Sequence, residues 1–145
     1  MIYMLRHGDA EEGDGDDSAR RLTRKGERQA VAAGRALAAL GIKIDACLTS
    51  PKVRAADTAR LACEPLAVAP EMADELAGRF DALALAAGRG EVLLVGHNPD
   101  FKTEVGRLTG ANVKFRKGGL AIIDGSTLMA QLRPQDLAAI AEGAD

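Results

Sequence analysis

Met1-Ile2-Tyr3-Met4-Leu5-Arg6-His7-Gly8-Asp9 opens the chain. An almost wholly apolar run gives way at once to a cation, an imidazole and a residue without a side chain. Met1 to Leu5 predict a short buried strand beginning at the first residue. Arg6 and His7 then fall at its carboxyl end, and Gly8 follows where the backbone must bend or approach a ligand closely. A second junction of this kind is Glu91-Val92-Leu93-Leu94-Val95, a continuous apolar run of the type found in buried parallel strands. It ends in Gly96-His97-Asn98-Pro99. Asn98 is suited to cap the next helix and Pro99 to open it, with Phe101, Val105 and Leu108 as the buried face and Gly110 as the stop. A third junction follows Ile42 to Thr49, which reads as a strand. Ser50 is a candidate N-cap and Pro51 a first helical residue. That helix runs to about Cys63, with Val53, Ala56, Ala59 and Cys63 inward. It carries Arg54 in its first turn, where free backbone amides favour an anion, and Thr58 one turn further on the same face.

The remaining segments fill in the alternation. Thr23 is a candidate N-cap for a helix with Ala30, Ala33, Leu37 and Leu40 on one stripe and Gly41 at its end. Leu66 to Val68 suggest a short strand, and Phe80, Leu83, Ala84 and Ala87 a third helix. Leu120 to Ile123 and Thr127 to Leu132 flank Asp124-Gly125-Ser126 as a hairpin. Pro134 starts a last helix with Leu137, Ile140 and Ala141 inward. Strands alternating with helices predict a single α/β domain over residues 1–145, in three α/β/α layers around a mostly parallel sheet. Ligands collect at the carboxyl ends of such strands, where this chain places Arg6-His7, Ser50 to Arg54, and His97.

Composition narrows the function. The chain has 145 residues, a formal net charge of −2 and 3% aromatic residues. It has no basic stripe of the kind that binds nucleic acid and no apolar run of the roughly 20 residues that span a bilayer. The N-terminus has no signal-peptide pattern. Cys47 and Cys63 form neither a C-x-x-C pair nor a disulfide framework, and read as buried thiols in a reducing cytoplasm. The acidic stretch Asp9 to Asp17 reads as a solvated loop or as a border that screens substrates near His7. Its spacing does not match a calcium loop.

Histidine can attack phosphorus, and arginine offers a planar fork of donors to phosphate oxygens. His7, Arg6, Arg54 and His97 are therefore candidate phosphate-handling residues. Each also has a structural reading: a solvated strand-end histidine for His7, an ion pair with Asp57 for Arg54, a cap-held ring for His97. Two histidines without a third well-spaced ligand make a poor zinc set, so no metal or other cofactor is expected.

Leu5-Arg6-His7-Gly8, Ser50-Pro51-Lys52-Val53-Arg54 with Thr58, and Val95-Gly96-His97-Asn98 together resemble the histidine phosphatase superfamily, also called phosphoglycerate-mutase-like. The start Arg6 to Ala10 and the segment Asp17 to Thr23 with Gly26 resemble its SixA-type phosphohistidine phosphatase branch. The resemblance implies His7 as a transiently phosphorylated nucleophile. It implies Arg6, Arg54 and His97 as ligands of the phosphoryl oxygens, His97 being more useful protonated. It also implies a phosphohistidine-bearing protein as substrate; the composition leaves no nucleic-acid or membrane partner expected, the cysteines point to a cytoplasmic setting, and a monomer is expected. Family members that cleave esters use a carboxylic acid on the leaving oxygen. The candidates here are Glu71, Asp74 and especially Glu75, with Asp9 as another. A phosphoramidate needs such an acid less, which favours phosphohistidine. The alternatives are a broad phosphomonoesterase on small esters or nucleotides, and a non-catalytic phosphoprotein-binding module.

Overall fold

A computed structural model describes residues 1–13 and 15–144. Asp14, inside the acidic stretch, and Asp145 lie outside the described residues. In chain order the elements are β1 (Ile2–Arg6), α1 (Arg24–Ala39), β2 (Ala46–Thr49), α2 (Val53–Cys63), β3 (Pro70–Met72), α3 (Ala82–Ala86), β4 (Val92–Gly96), α4 (Asp100–Thr109), β5 (Leu120–Asp124), β6 (Thr127–Leu132) and α5 (Pro134–Gly143). Short 3₁₀ turns at Asp17–Ala19 and Asp74–Ala77 complete the set.

The strands form one six-stranded sheet in the order β3-β2-β4-β1-β5-β6. β3, β2, β4 and β1 run parallel, whereas β5 and β6 are antiparallel additions at β1's other side. Side chains alternate across the sheet. Leu5, Cys47 and Leu93 pack with Ala33, Leu37, Ala59 and Leu137 from α1, α2 and α5. Met4, Leu48 and Leu94 pack with Ala82, Phe101 and Val105 from α3 and α4. Both faces of β1 and β4 are thus covered, which is why these strands are apolar throughout. The layers are three, as expected. Small residues let them close tightly: a Cβ on Gly34 of α1 would stand 2.1 Å from the carbonyl oxygen of Ala62 on α2.

Several local expectations are corrected. Ile42 to Asp45 lie outside β2, which begins at Ala46. The strand expected at Leu66 to Val68 is a turn, and the edge strand forms instead at Pro70–Met72. Leu40 is exposed, because α1 ends at Ala39 and Gly41 adopts φ +75°. On α3 the buried residue is Ala82, while Leu83 and Ala84 face solvent. On α2, Ala55 and Ala62 are buried and Val53 and Ala56 only half-buried, so the inward stripe is rotated from the one expected. Cys47 and Cys63 are free, buried thiols. No helix among the described residues is long and apolar enough to cross a membrane.

Candidate active site

Strand register builds the site. Leu5 and Thr49 both pair with Val95, and Arg6 pairs with Gly96. β1, β2 and β4 therefore end level, and His7, Ser50 and His97 leave adjacent strands side by side. The backbone continues the alignment: His7 N–H donates to the Gly96 carbonyl and Ser50 N–H to the Val95 carbonyl, each at 3.0 Å. His7, Arg54 and His97 are 5%, 6% and 6% exposed, and the imidazole centroids are 5.2 Å apart. The structure thus brings all the predicted phosphate-handling residues to one edge, and the solvated-histidine reading of His7 fails.

His7 is prepared as a nucleophile. Its Nδ1 lies 2.7 Å from the Gly8 carbonyl oxygen, which can only accept. The proton therefore sits on Nδ1 and the lone pair on Nε2. Burial pulls the ring's pKa down to about 4, against the opposing pull of the Gly8 carbonyl and with help from Arg54, Arg6 and Lys117. At neutral pH the ring is uncharged and able to attack. Gly8 closes the connection to α2: its N–H donates to Thr58 Oγ1 at 3.1 Å, and the Thr58 hydroxyl donates to the Arg54 carbonyl at 2.7 Å. A side chain at Gly8 is excluded, since its Cβ would stand 2.5 Å from the Gly26 carbonyl oxygen.

Arg54 does not pair with Asp57, which instead faces Arg60. Its guanidinium donates through Nη1 to the Asp17 carbonyl at 2.8 Å and through Nη2 to the Asp17 carboxylate at 3.2 Å. Arg20, Lys52 and Arg54 together hold the Asp17 carboxyl far below the usual carboxylate range. Arg6 donates through Nη1 to the Phe115 carbonyl at 2.7 Å, and Gly118 N–H returns to the His7 carbonyl at 2.9 Å.

Ser50 is a residue that sequence reasoning placed wrongly. It does not cap α2 as expected, since the helix begins at Val53 with Lys52 in the cap position. Its Oγ accepts from Lys52 N–H at 3.2 Å and lies 2.7 Å from His97 Nε2. The Ser50 oxygen keeps a second lone pair and its own proton, so it can either accept from Nε2–H or donate to Nε2; in the second arrangement His97 carries its proton on Nδ1. Burial, then His7, Arg54 and Lys52, depress the His97 pKa to about 3. A protonated His97 is thus not what the protein itself stabilises; a neutral ring with an unpartnered Nδ1 is. The sequence places Asp17 in the acidic stretch near His7 and in the SixA-like segment, but no local pattern joins it to Arg54.

Among the described residues, the buried side-chain polar atoms without a hydrogen-bond partner are Arg6 Nε, Arg54 Nε, His97 Nδ1 and one Glu91 oxygen, and the last is ion-paired to the N-terminal amine. Burying a donor without a partner costs roughly 1–3 kcal/mol. Two guanidinium donors and the open Nδ1 of His97, beside the neutral His7, make a site suited to an anion with several oxygens.

The acid candidates lie at its border. Ala73 N–H donates to the Thr49 carbonyl at 2.8 Å, which sets the Asp74–Ala77 turn beside the end of β2. Glu75 on that turn is exposed, and its carboxylate makes no hydrogen bond or ion pair with a described residue. Glu71 is taken by Arg89. The Asp9 carboxylate accepts from the Thr23 hydroxyl at 2.8 Å and lies 3.8 Å from Lys117 Nζ. No group of three His, Cys, Asp or Glu among the described residues is arranged to hold a metal ion.

The profile of the histidine phosphatase superfamily (branch 1) matches residues 2–81. An uncharacterized protein of Picosynechococcus sp. is 33% identical over 134 residues, covering 82% of this chain and 81% of that protein. The structure of the protein histidine phosphatase SixA complexed with tungstate superposes with a TM-score of 0.83 at 25% identity, covering 94% of this chain and 98% of that one. A mutant phosphoserine phosphatase from Entamoeba histolytica, in complex with phosphoserine, shares the fold with a TM-score of 0.72 at 14% identity, covering 94% and 98%. The profile match and the likeness to SixA support phosphatase activity. The chain belongs to the histidine phosphatase superfamily, branch 1, and has the architecture of its SixA-type members.

Proposed function

We propose that this protein is a metal-independent protein phosphohistidine phosphatase that works through a phosphorylated His7. The observation that carries the reading is the neutral Nε2 of His7 at the same buried edge as the unpartnered Arg6 Nε, Arg54 Nε and His97 Nδ1. Phosphoryl transfer is catalysed mainly by positioning and by stabilising charge on the equatorial oxygens, and Arg6, Arg54 and His97 supply that charge and those donors. His7 Nε2 attacks phosphorus as the P–N bond to the substrate imidazole breaks in line, and the leaving nitrogen takes a proton from water. A second water then attacks phosphorus, the P–Nε2 bond breaks, and phosphate departs with His7 restored. His97 donates from Nδ1 to an equatorial oxygen, and the negative charge of the phosphoryl group offsets the burial that keeps its ring neutral.

The preference for phosphohistidine rests on the leaving group. General acid catalysis contributes typically 10²–10⁴-fold, and an oxygen leaving group needs it more than an imidazole does. Neither Glu75 nor Asp9 is bonded into the His7 cluster. The name of the SixA neighbour agrees with this reading. The second reading, a general phosphomonoesterase, draws on Glu75, whose carboxylate is unengaged on the turn beside β2. The test compares kcat/KM on a phosphohistidine-bearing protein, p-nitrophenyl phosphate and a sugar phosphate, in wild type and Glu75→Gln, with acid-labile label trapped on His7. Phosphohistidine is expected to lead by a wide margin, and His7→Ala to lose both turnover and label. A sugar phosphate that leads, and that Glu75→Gln cripples selectively, would establish the general phosphatase instead.

A further inference from the structure

Beside the His7 cluster lies a cleft of about 450 Å³ whose lining includes Arg6, Lys25, Lys114, Arg116, Lys117 and Asp9. Its chemistry is one-sided although the chain as a whole is slightly acidic. Asp9, the acid of this lining, is already engaged by Thr23 and Lys117. Lys25, Lys114 and Arg116 are exposed, and their charged groups make no hydrogen bond or ion pair with a described residue. Many cations elsewhere are paired: Arg20, Lys52 and Arg54 on Asp17, Arg107 on Glu104 and Arg133 on Asp136.

The cleft is tied rigidly to the catalytic edge. The segment between α4 and β5 has no regular structure, yet its side chains alternate. Val113 and Phe115 are buried in the core under α4, which turns Lys114 and Arg116 outward. Its backbone is fastened from both sides: the Phe115 carbonyl accepts from Arg6 Nη1 at 2.7 Å, and the Lys114 carbonyl from Gln131 Nε2 at 2.6 Å. Gly118 N–H then bonds the His7 carbonyl. Arg6 thus belongs both to the phosphate site and to the cleft wall. A protein whose phosphorylated residue reaches His7 presents its neighbouring surface to these cations.

We infer that this cleft is a docking surface for acidic side chains that flank the phosphorylated residue of a protein substrate. The inference builds on the proposed function and adds what selects among phosphoproteins. The spread of the cations favours an acidic segment over a second phosphate on a small molecule. A small anion is held by buried, convergent donors, whereas exposed lysines and arginines on separate segments act additively and at longer range on an extended polyanion.

The experiment has two arms, both using the full chain. In the first, fluorescein-labelled octaglutamate is titrated and its anisotropy followed for wild type and for Lys25→Glu/Lys114→Glu/Arg116→Glu. Wild type is expected to bind, and to weaken sharply between about 0.01 M and 0.15 M ionic strength, where the screening length falls from roughly 30 Å to 8 Å. The triple variant is expected to bind at least about tenfold more weakly, the sum of three exposed charge contacts. Inorganic phosphate should not displace the peptide. In the second arm, the triple variant is expected to keep wild-type turnover of p-nitrophenyl phosphate, which also shows that it is folded. Its KM for an acid-flanked phosphohistidine protein should rise about tenfold with kcat unchanged. Absence of peptide binding by wild type, equal binding by the variant, displacement by phosphate, or equal losses on both substrates would each overturn the docking surface. Peptide binding that follows the cations, in an enzyme that leaves phosphohistidine untouched, would instead overturn the proposed substrate and uphold the acidic docking surface.

Discussion

Arg54 and Lys52 are cations two residues apart, and their surroundings separate them. Arg54 is buried with Nε unpartnered at the site, whereas the Lys52 ammonium lies 3.3 Å from the Asp17 carboxylate on the outside. Arg54→Ala is expected to lower kcat/KM on the order of 10³-fold, as for other arginines that stabilise a phosphoryl transition state, and Lys52→Ala to lower it only mildly. Steady-state kinetics on p-nitrophenyl phosphate decide the matter, and equal losses would indicate a diffuse charge effect. Ser50→Ala removes the hydroxyl that holds the His97 ring through Nε2 at 2.7 Å. The expected result is a fall in kcat of about tenfold, the worth of one well-made hydrogen bond expressed in the transition state, with KM nearly unchanged. His7, Arg54 and His97 were legible because each is chemically distinctive and sits at a predicted strand end or in the first turn of the helix that follows one. Ser50 and Asp17 were not. A serine before proline is equally a helix cap, and an aspartate in an acidic loop shows nothing of an arginine that lies far along the chain.

Elements reach the site through a few close backbone contacts. A Cβ on Gly26 of α1 would stand 2.0 Å from the Asp9 carbonyl oxygen, and one on Gly34 would stand 2.1 Å from that of Ala62. Both substitutions overpack, at a cost of roughly 1–3 kcal/mol, yet they push in different places. Gly26→Ala displaces α1 from the loop that follows His7, and should lower both melting temperature and kcat. Gly34→Ala separates α1 from α2 further from the phosphate edge, and should lower the melting temperature with a smaller effect on kcat. Thermal melts run alongside kinetics check this, and identical kinetic losses would show that the two helices move as one body. Helix starts were readable where a side chain commits to the cap, as Thr23 does by accepting from Gly26 N–H at 3.0 Å. Edge strands and short helices were not. β3 is held by backbone pairing to β2 and carries no apolar pattern, and α3 has too few turns for its periodicity to fix its phase.

For the whole molecule, two buried histidines make stability depend on pH. An unfolded histidine titrates near 6.5, while His7 and His97 are held down to about 4 and about 3. The unfolded chain therefore binds more protons below 6.5. The contribution is fully present above that pH and drains away as pH falls toward the folded values, by about 1.4 kcal/mol per pH unit for each histidine. Urea denaturation from pH 7 to pH 5 should show this slope, and a His97→Gln variant should lose about half of it. An unchanged slope would mean that His97 is not buried neutral. The sheet itself was legible because its central strands are apolar on both faces. β1 is central in a further sense: it is hydrogen-bonded along both edges, to β4 on one side and to β5 on the other, and its last residues continue into the bonds from His7 to Gly96 and from Gly118 to His7. The nucleophile thus hangs from an interior strand of the sheet, paired along both edges, not from a loop that can open by itself. Amide protons of Met4, Leu5 and Leu94 should exchange with deuterium only through global opening, at one common free energy. Heat inactivation should then trace the unfolding curve without an earlier step, so that this phosphatase is either whole and competent or wholly unfolded.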